Sequence, residues 1–286
     1  MTDDARATEG AAARPTSEID RRSFVGACVA AAAPLLLTAA HQGAAPDSAP
    51  AGAAGGAAAP DSAAQAAAAG PPRYDPRQHY YGMGVDVDKC IGCGRCAVAC
   101  KEENNVPLDP HHFRTWVERY IIHEDADATV DSPNGGIDGF PASVEEKGVL
   151  RSFFVPKLCN HCANPPCVQV CPVGATFSTE DGVVLVDESY CIGCRYCIQA
   201  CPYGARFLHP VSKTAQKCTF CYHRVARDLV PACVEVCPTS ARIFGEVHRP
   251  SSPLTRFRRF NAIQVLKPSL NTEPKVFYAN LDGQVR

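Results

Sequence analysis

The stretch Cys191-Ile-Gly-Cys194-Arg-Tyr-Cys197-Ile-Gln-Ala-Cys201-Pro202 decides how this chain must fold. Its four thiols are separated by two, two and three residues. Two-residue gaps let a tight loop turn three thiols toward one point while backbone N–H groups face the sulfurs, and Gly193 suits so close an approach. The fourth thiol lies at the far end of a short helical turn and points away from the other three. Proline then disfavours helix for the cysteine before it and ends the turn. Three thiols serve one site and the fourth serves another, so the segment is incomplete alone.

Three more groups accompany it. Cys90-x2-Cys93-x2-Cys96-x3-Cys100 repeats the spacing, with Gly92 and Gly94 in the loop and Lys101 where proline would stand. Cys159-x2-Cys162-x4-Cys167-x3-Cys171-Pro172 lengthens one gap, and Cys218-x2-Cys221-x11-Cys233-x3-Cys237-Pro238 lengthens the same gap further. The first and third groups match the bacterial ferredoxin run, in which three thiols hold one [4Fe–4S] cluster and the fourth belongs to a neighbouring cluster. A weaker repeat, Cys171-Pro-Val-Gly-Ala-Thr-Phe177, Cys201-Pro-Tyr-Gly-Ala-Arg-Phe207 and Cys237-Pro-Thr-Ser-Ala-Arg-Ile-Phe244, marks internal duplication. Between Ala175 and Val186 the pair Asp181-Gly182 predicts a hairpin turn joining two short strands. The expected fold is therefore α+β: two interleaved bacterial ferredoxin-like (dicluster) halves with an insertion, preceded by a signal peptide and a disordered linker.

Zinc ribbons also use paired Cys-x2-Cys, but a third thiol two residues on, in two separate groups, exceeds a four-ligand zinc pattern. Disulfides suit an exported chain, yet Cys-x2-Cys-x2-Cys crowds thiols that would need distant partners. Beyond residue 40 the chain has 24 basic and 25 acidic residues, a balance that argues against a large nucleic-acid footprint. Neither a nucleophile–base constellation nor a dinucleotide fingerprint nor a phosphate loop is visible, so no catalytic residue is expected.

The N-terminus reads as an address. Arg21-Arg22 precedes 17 uncharged residues, Phe24 to Ala40, the layout of an export signal over residues 1–40. Paired arginines make it resemble a twin-arginine (Tat) signal, a route that carries folded, cofactor-loaded cargo. The competing reading is a retained membrane anchor, since the run borders on spanning length. Cys28 lies too early in the run to be a lipoprotein cysteine. Residues 41–72 contain 15 Ala, 5 Pro and 5 Gly with no apolar period, which makes them a linker that cannot bury a face. The cysteine-bearing domain is placed at 73–248, with an insertion at about 104–157 and a C-terminal extension at 249–286.

From about Met83 to Gly245 the chain resembles the four-cluster electron-transfer subunits of membrane-linked respiratory oxidoreductases, the dimethyl sulfoxide, polysulfide, tetrathionate and nitrite-reduction complexes and some hydrogenases. CIGCGRC, LCNHC…PPCVQVCP, CIGCRYC and KCTFC…CVEVCP carry the likeness. The resemblance implies four [4Fe–4S] clusters as cofactors, with a crossed ligand pattern. Cys90, Cys93 and Cys96 would share a cluster with Cys237, and Cys218, Cys221 and Cys233 one with Cys100. Cys159, Cys162 and Cys167 would take Cys201, while Cys191, Cys194 and Cys197 would take Cys171. It implies a molybdopterin-type catalytic subunit near the Cys90/Cys237 cluster and a quinone-reactive integral membrane subunit at the other end, with the Cys218/Cys100 cluster nearer the membrane. The protein is expected to serve anaerobic respiration in the periplasm or on the outer face of the cytoplasmic membrane, touching the bilayer only through its partner. A stand-alone periplasmic ferredoxin-like carrier and a zinc-stapled interaction module are the alternatives.

Positive side chains within two residues of a thiol, Lys89, Arg95, Lys101, Lys157, Arg195 and Lys217, are candidates to stabilise a reduced cluster. Tyr190, Tyr196, Tyr203, Phe220 and Tyr222 are expected to shield clusters from water. His161, between Cys159 and Cys162, is expected beside a cluster rather than on iron, because a Rieske-type centre needs two histidines. The alternation in Thr115-Trp-Val-Glu-Arg-Tyr-Ile-Ile122 predicts a strand in the insertion, which is expected to face a partner subunit.

Overall fold

The computed structural model describes residues 74–142 and 148–285. The expected signal and linker lie outside the described residues. Strand β1 (Tyr81–Asp86) is buried along all six residues and leads into the first thiol loop. Helix α1 (Arg95–Glu103) starts after Gly94, whose φ of 67° is the left-handed conformation open to glycine at little cost. A Cβ there would collide with the Gly136 carbonyl.

The insertion folds as its own antiparallel sheet of β2 (Thr115–His123), β3 (Ala128–Asp131) and β4 (Val149–Leu158), in the order β3-β2-β4. The strand expected over residues 115–122 is present and runs one residue further. Tyr120 stacks on its neighbour Phe153, with Tyr120↔Phe153 in register. This sheet also walls the first thiol loop: the Phe154 ring occupies the space beside Gly92, and Val117 and Pro156 face the cavity described below.

Very short elements follow. Helix α2 (Pro166–Gln169) leads to the hairpin β5 (Thr176–Ser178) and β6 (Val184–Val186), turning at the expected Asp181-Gly182. Helix α3 (Tyr196–Gln199) leads to a second hairpin, β7 (Arg206–Leu208) and β8 (Ala215–Lys217). Helices α4 (Tyr222–Val225) and α5 (Ala232–Glu235) then precede β9 (Arg242–Glu246), which returns antiparallel to β1. The half containing α1 and α5 is thus assembled from both ends of the described chain, around the half containing α2 and α3.

The residues after Arg249, expected as an extension, are integral to the fold. Helix α6 (Pro253–Phe260) is capped by Ser252, whose hydroxyl accepts from the Leu254 N–H at 3.3 Å. It buries Leu254 and Phe257 against Ile243, Phe277 and Ala279. Strands β10 (Ile263–Gln264) and β11 (Val276–Ala279) complete a sheet of order β10-β11-β1-β9, with β11 parallel to β1. Met83, Val85, Val276 and Tyr278 form the centre of the core, each inaccessible to solvent. Among the described residues no helix is long and apolar enough to cross a membrane.

Candidate metal centres

All sixteen cysteines of the described residues are free thiols. Cys90, Cys93, Cys96 and Cys237 line a cavity of about 330 Å³ with Val117, Pro156 and Arg242. Cys100, Cys218, Cys221 and Cys233 line a second, of about 270 Å³, with Met83, Asn104 and Arg114. The two cavities are joined by helices. Cys96 and Cys100 sit one turn apart on α1, while Cys233 lies on α5 and Cys237 just beyond it. Each helix therefore gives one thiol to each cavity.

The other half repeats the device. Cys167 lies on α2 with Cys171 just past its end, and Cys197 lies on α3 with Cys201 just past its end. Burial, reinforced by repulsion from Cys159, Cys167 and Cys201, pushes the Cys162 thiol up to about 12. Cys191 and Cys197 pack with Cys167, Val184 and Ala215 in a separate small cluster. Cys191 accepts from the Ala215 N–H and Cys171 from the Thr176 N–H, both at 3.4 Å. Burial opposes the Cys171 thiolate, but the N–H groups of Thr176, Val173 and Ala175 hold this thiol below its ordinary value. The turn after α2 is thus built to receive a negative sulfur.

The halves meet at Cys159 and Cys218, where Cys159 adds electrostatically to the burial that raises the Cys218 thiol, and at His161 and Phe220, whose rings stack. The four thiol sets thus form a row: the Cys90 set, the Cys218 set, the Cys159 set, then the Cys191 set. The Cys218/Cys100 set, expected nearer the membrane, is instead second in the row, between the Cys90 and Cys159 sets, and the far end belongs to Cys191. The exposed cysteines among the described residues are Cys93 at one end and Cys194 at the other. Each end carries exposed apolar side chains, Ile91 at the first and Tyr190, Ile192 and Tyr196 at the second. Tyr190 and Tyr196, expected to shield, instead face outward, whereas Phe220 is wholly buried.

The loops place sulfur against backbone donors. Phe220 N–H donates to Cys218 Sγ at 3.4 Å and His161 N–H to Cys159 Sγ at 3.5 Å. Two arginines touch thiols directly. Arg242 Nη2 donates to Cys96 Sγ at 3.3 Å and to Thr115 Oγ1 at 2.8 Å; Arg206 Nη2 donates to Cys167 Sγ at 3.0 Å. Burial opposes the Arg242 charge, but Cys96, Cys233 and Cys90 hold it above its ordinary range. Neither arginine is within two residues of a thiol, so closeness in sequence does not reveal them. The repeat Cys-Pro-x-x-Ala-Arg, shared by Arg206 and Arg242, is the signal that could have found them.

Of the six charges expected near clusters, Lys217 is wholly buried and donates to the Cys218 carbonyl at 2.6 Å. Lys101 donates to the Pro107 and Asp109 carbonyls at 2.7 Å, Lys157 pairs with Glu118 at 2.6 Å, and Lys89 pairs with Asp86 at 3.0 Å. Arg95 and Arg195 are exposed.

This donor set fits anionic clusters. Among the described residues six cations are buried; leaving aside Lys157, which pairs with Glu118, the other five, Lys101, Arg206, Lys217, Arg242 and Lys275, outnumber the two buried carboxylates, Asp86 and Asp181. Buried charge is retained only when paired. Several buried donors beside the thiols also lack acceptors: Arg114 Nε, Asn160 Nδ2, His161 Nε2, Arg206 Nε and Arg242 Nη1. A four-iron cluster with four thiolates is dianionic when oxidised and presents sulfur acceptors, so it answers both excesses. Burial pushes the Cys218 thiol to about 12 and the Cys233 thiol to about 11, so a metal is needed to hold them as thiolates. Among the described residues no three His, Cys, Asp or Glu side chains are close enough for a single ion. The first two sets surround cavities instead.

Residues 89–175 and residues 150–247 each match a family described as a 4Fe-4S dicluster domain. The chain is 44% identical over 207 residues to a tetrathionate reductase subunit of Salmonella typhimurium, covering 72% of this chain and 74% of that one. It is 49% identical over 203 residues to a tetrathionate reductase subunit from Archaeoglobus fulgidus (71% and 83%). With a polysulfide reductase polypeptide of Wolinella succinogenes the identity is 38% over 198 residues (69% and 92%).

Proposed function

The protein belongs to the family of iron–sulfur subunits of respiratory oxidoreductases, and from that premise we propose that it carries four [4Fe–4S] clusters and relays electrons between a molybdopterin-type catalytic subunit and a quinone-reactive membrane subunit. The observation that carries this reading is the row of four thiol sets, buried in the middle and exposed at Cys93 and Cys194. When bound, each cluster would supply reversible one-electron chemistry. Cys90, Cys93, Cys96 and Cys237 would hold the first; Cys218, Cys221, Cys233 and Cys100 the second; Cys159, Cys162, Cys167 and Cys201 the third; Cys191, Cys194, Cys197 and Cys171 the fourth. The Cys90 end would meet the catalytic subunit and the Cys191 end, with its exposed tyrosines and Ile192, the membrane subunit. The twin-arginine stretch supports export of the folded, loaded chain to the periplasmic side.

Elemental analysis of anaerobically purified protein tests the reading. About sixteen iron and sixteen sulfide per chain, with visible absorption that bleaches on reduction, are expected. Abundant zinc with little iron would sink it. Recovery of this chain alone from mild detergent, as a stable monomer, would favour a stand-alone carrier.

Arg242→Met should leave iron content unchanged and lower the midpoint potential of the Cys90 cluster, because a contacting cation favours the reduced, more anionic state. At contact distance the effect is about 1–4 kcal/mol between water-like and protein-like screening, or roughly 40–170 mV for one electron. Potentiometric titration followed by electron paramagnetic resonance (EPR) reads it. An unchanged or raised potential contradicts this role for Arg242.

A further inference from the structure

Each thiol loop begins Cys-x-x-Cys, and in all four the residue before the second thiol has positive φ: 67° at Gly92, 69° at Gly193, 42° at His161 and 53° at Phe220. Left-handed backbone costs a residue with a side chain roughly 1–2 kcal/mol. In the two outer loops there is no room for one, since a Cβ on Gly92 would meet the Phe154 ring and one on Gly193 the Lys213 carbonyl. The two inner loops accept the cost and carry large rings. Holding thiols does not demand rings there, because the outer loops do without them.

The two rings meet. His161 and Phe220 stack with centroids 3.7 Å apart and planes 21° apart, each wholly buried. The contact lies where the Cys159 and Cys218 loops join the two halves. Phe244 packs edge-on against Phe220 at 5.4 Å, and Tyr81 stacks on Phe244 at 5.2 Å, so the pair is supported from behind. Val184 N–H donates to His161 Nδ1 at 3.1 Å, which fixes the ring and leaves the proton on Nε2. That donor has no acceptor at good hydrogen-bond geometry, and the Cys218 carbonyl, which acts on it from outside that geometry, is shared with the Lys217 ammonium. An open buried donor costs about 1–3 kcal/mol. A sulfur of an inner cluster is the kind of acceptor it lacks.

We infer that the His161–Phe220 stack is the coupling element between the two dicluster halves, fixing the separation of the inner clusters and filling the gap electrons must cross with packed rings instead of water. The inference rests on the four-cluster reading above. Electron tunnelling weakens exponentially with distance and more steeply across voids than through packed atoms. His161 and Phe220 act as positioning residues, for neither is placed on iron.

Phe220→Gly and His161→Gly test it, since each gives an inner loop the residue of an outer one and relieves the strained backbone. In the holoprotein with full iron content, pulsed reduction followed by freeze-quench EPR should show electron equilibration between the halves slowed at least tenfold. The magnetic interaction between the inner reduced clusters should weaken, while the signals of the Cys90 and Cys191 clusters stay as in the wild type. Unchanged rate and interaction at full iron overturn the inference. If a glycine variant loses inner-cluster iron, the exchange variant H161F/F220H, which keeps two rings, decides. Wild-type rate and interaction then support the stack, whereas a tenfold loss at full iron, or iron loss there as well, overturns it. Wild-type protein without about sixteen iron atoms would instead overturn the four-cluster reading itself.

Discussion

Cys100→Ser is expected to remove or convert the cluster bound by Cys218, Cys221 and Cys233, and to spare the one bound by Cys90, Cys93 and Cys96, although Cys100 belongs to their sequence group. Four residues along α1 displace Cys100 by about 6 Å from Cys96 along the helix axis, out of the first cavity and into the second. Burial raises the Cys100 thiol well above its usual range, and the thiols of Cys218, Cys233 and Cys221 raise it further, which places it among them. Asn104 Nδ2 spans the same set, 3.5 Å from Cys221 Sγ and 3.7 Å from Cys100 Sγ. Serine is a poor ligand to cluster iron, so iron should fall from about sixteen toward about twelve per chain, or a three-iron signal should appear. Because this site is second in the row, reduction of the Cys159 and Cys191 clusters from the Cys90 end should fail on the timescale of the wild type. If EPR shows the Cys90 cluster altered and the Cys218 cluster intact, the crossed arrangement is wrong.

Much of this arrangement is legible in the sequence because cluster chemistry fixes local spacing. Cys-x2-Cys loops, x3 helical turns and the Asp181-Gly182 hairpin depend only on neighbouring residues, and each is found where expected. The strand starting at Thr115 is also local, written in its alternation. What the sequence hides is set by distant contacts. Nothing in residues 249–286 announces that β11 will lie beside β1, since four apolar residues after a proline-containing stretch have no partner until the sheet forms. Nor does closeness in sequence report closeness in space: Lys101 lies next to Cys100 yet turns to the Pro107 and Asp109 carbonyls, while Arg242 is far from Cys96 in sequence and touches it. His161 reads as an isolated histidine because its partner Phe220 belongs to another loop.

Stripping the iron with chelator under reducing conditions at neutral pH is expected to abolish cooperative folding. Helices α2 to α5 have four residues each, far below the length at which a helix survives alone, and both two-stranded hairpins have three-residue strands. Thiols stand where other proteins place aliphatic side chains: Cys96, Cys159, Cys218 and Cys233 belong to the main core and Cys167 and Cys197 to the second. Without anionic clusters, Arg206, Lys217 and Arg242 would be buried cations short of a counter-charge. Breaking a buried pair costs about 3–5 kcal/mol, and even one such loss is a large share of the roughly 5–15 kcal/mol typical of a folded domain. Circular dichroism of the iron-free chain should show no cooperative thermal transition. Hydrogen exchange should show protection lost first in α2, α3 and the two hairpins. The packing of Leu254 and Phe257 on Phe277 and Ala279 contains no thiol, so protection should persist longest around α6 and β11. An iron-free chain that melts cooperatively near the holoprotein's temperature would mean that apolar packing, not cluster binding, holds these short elements in place.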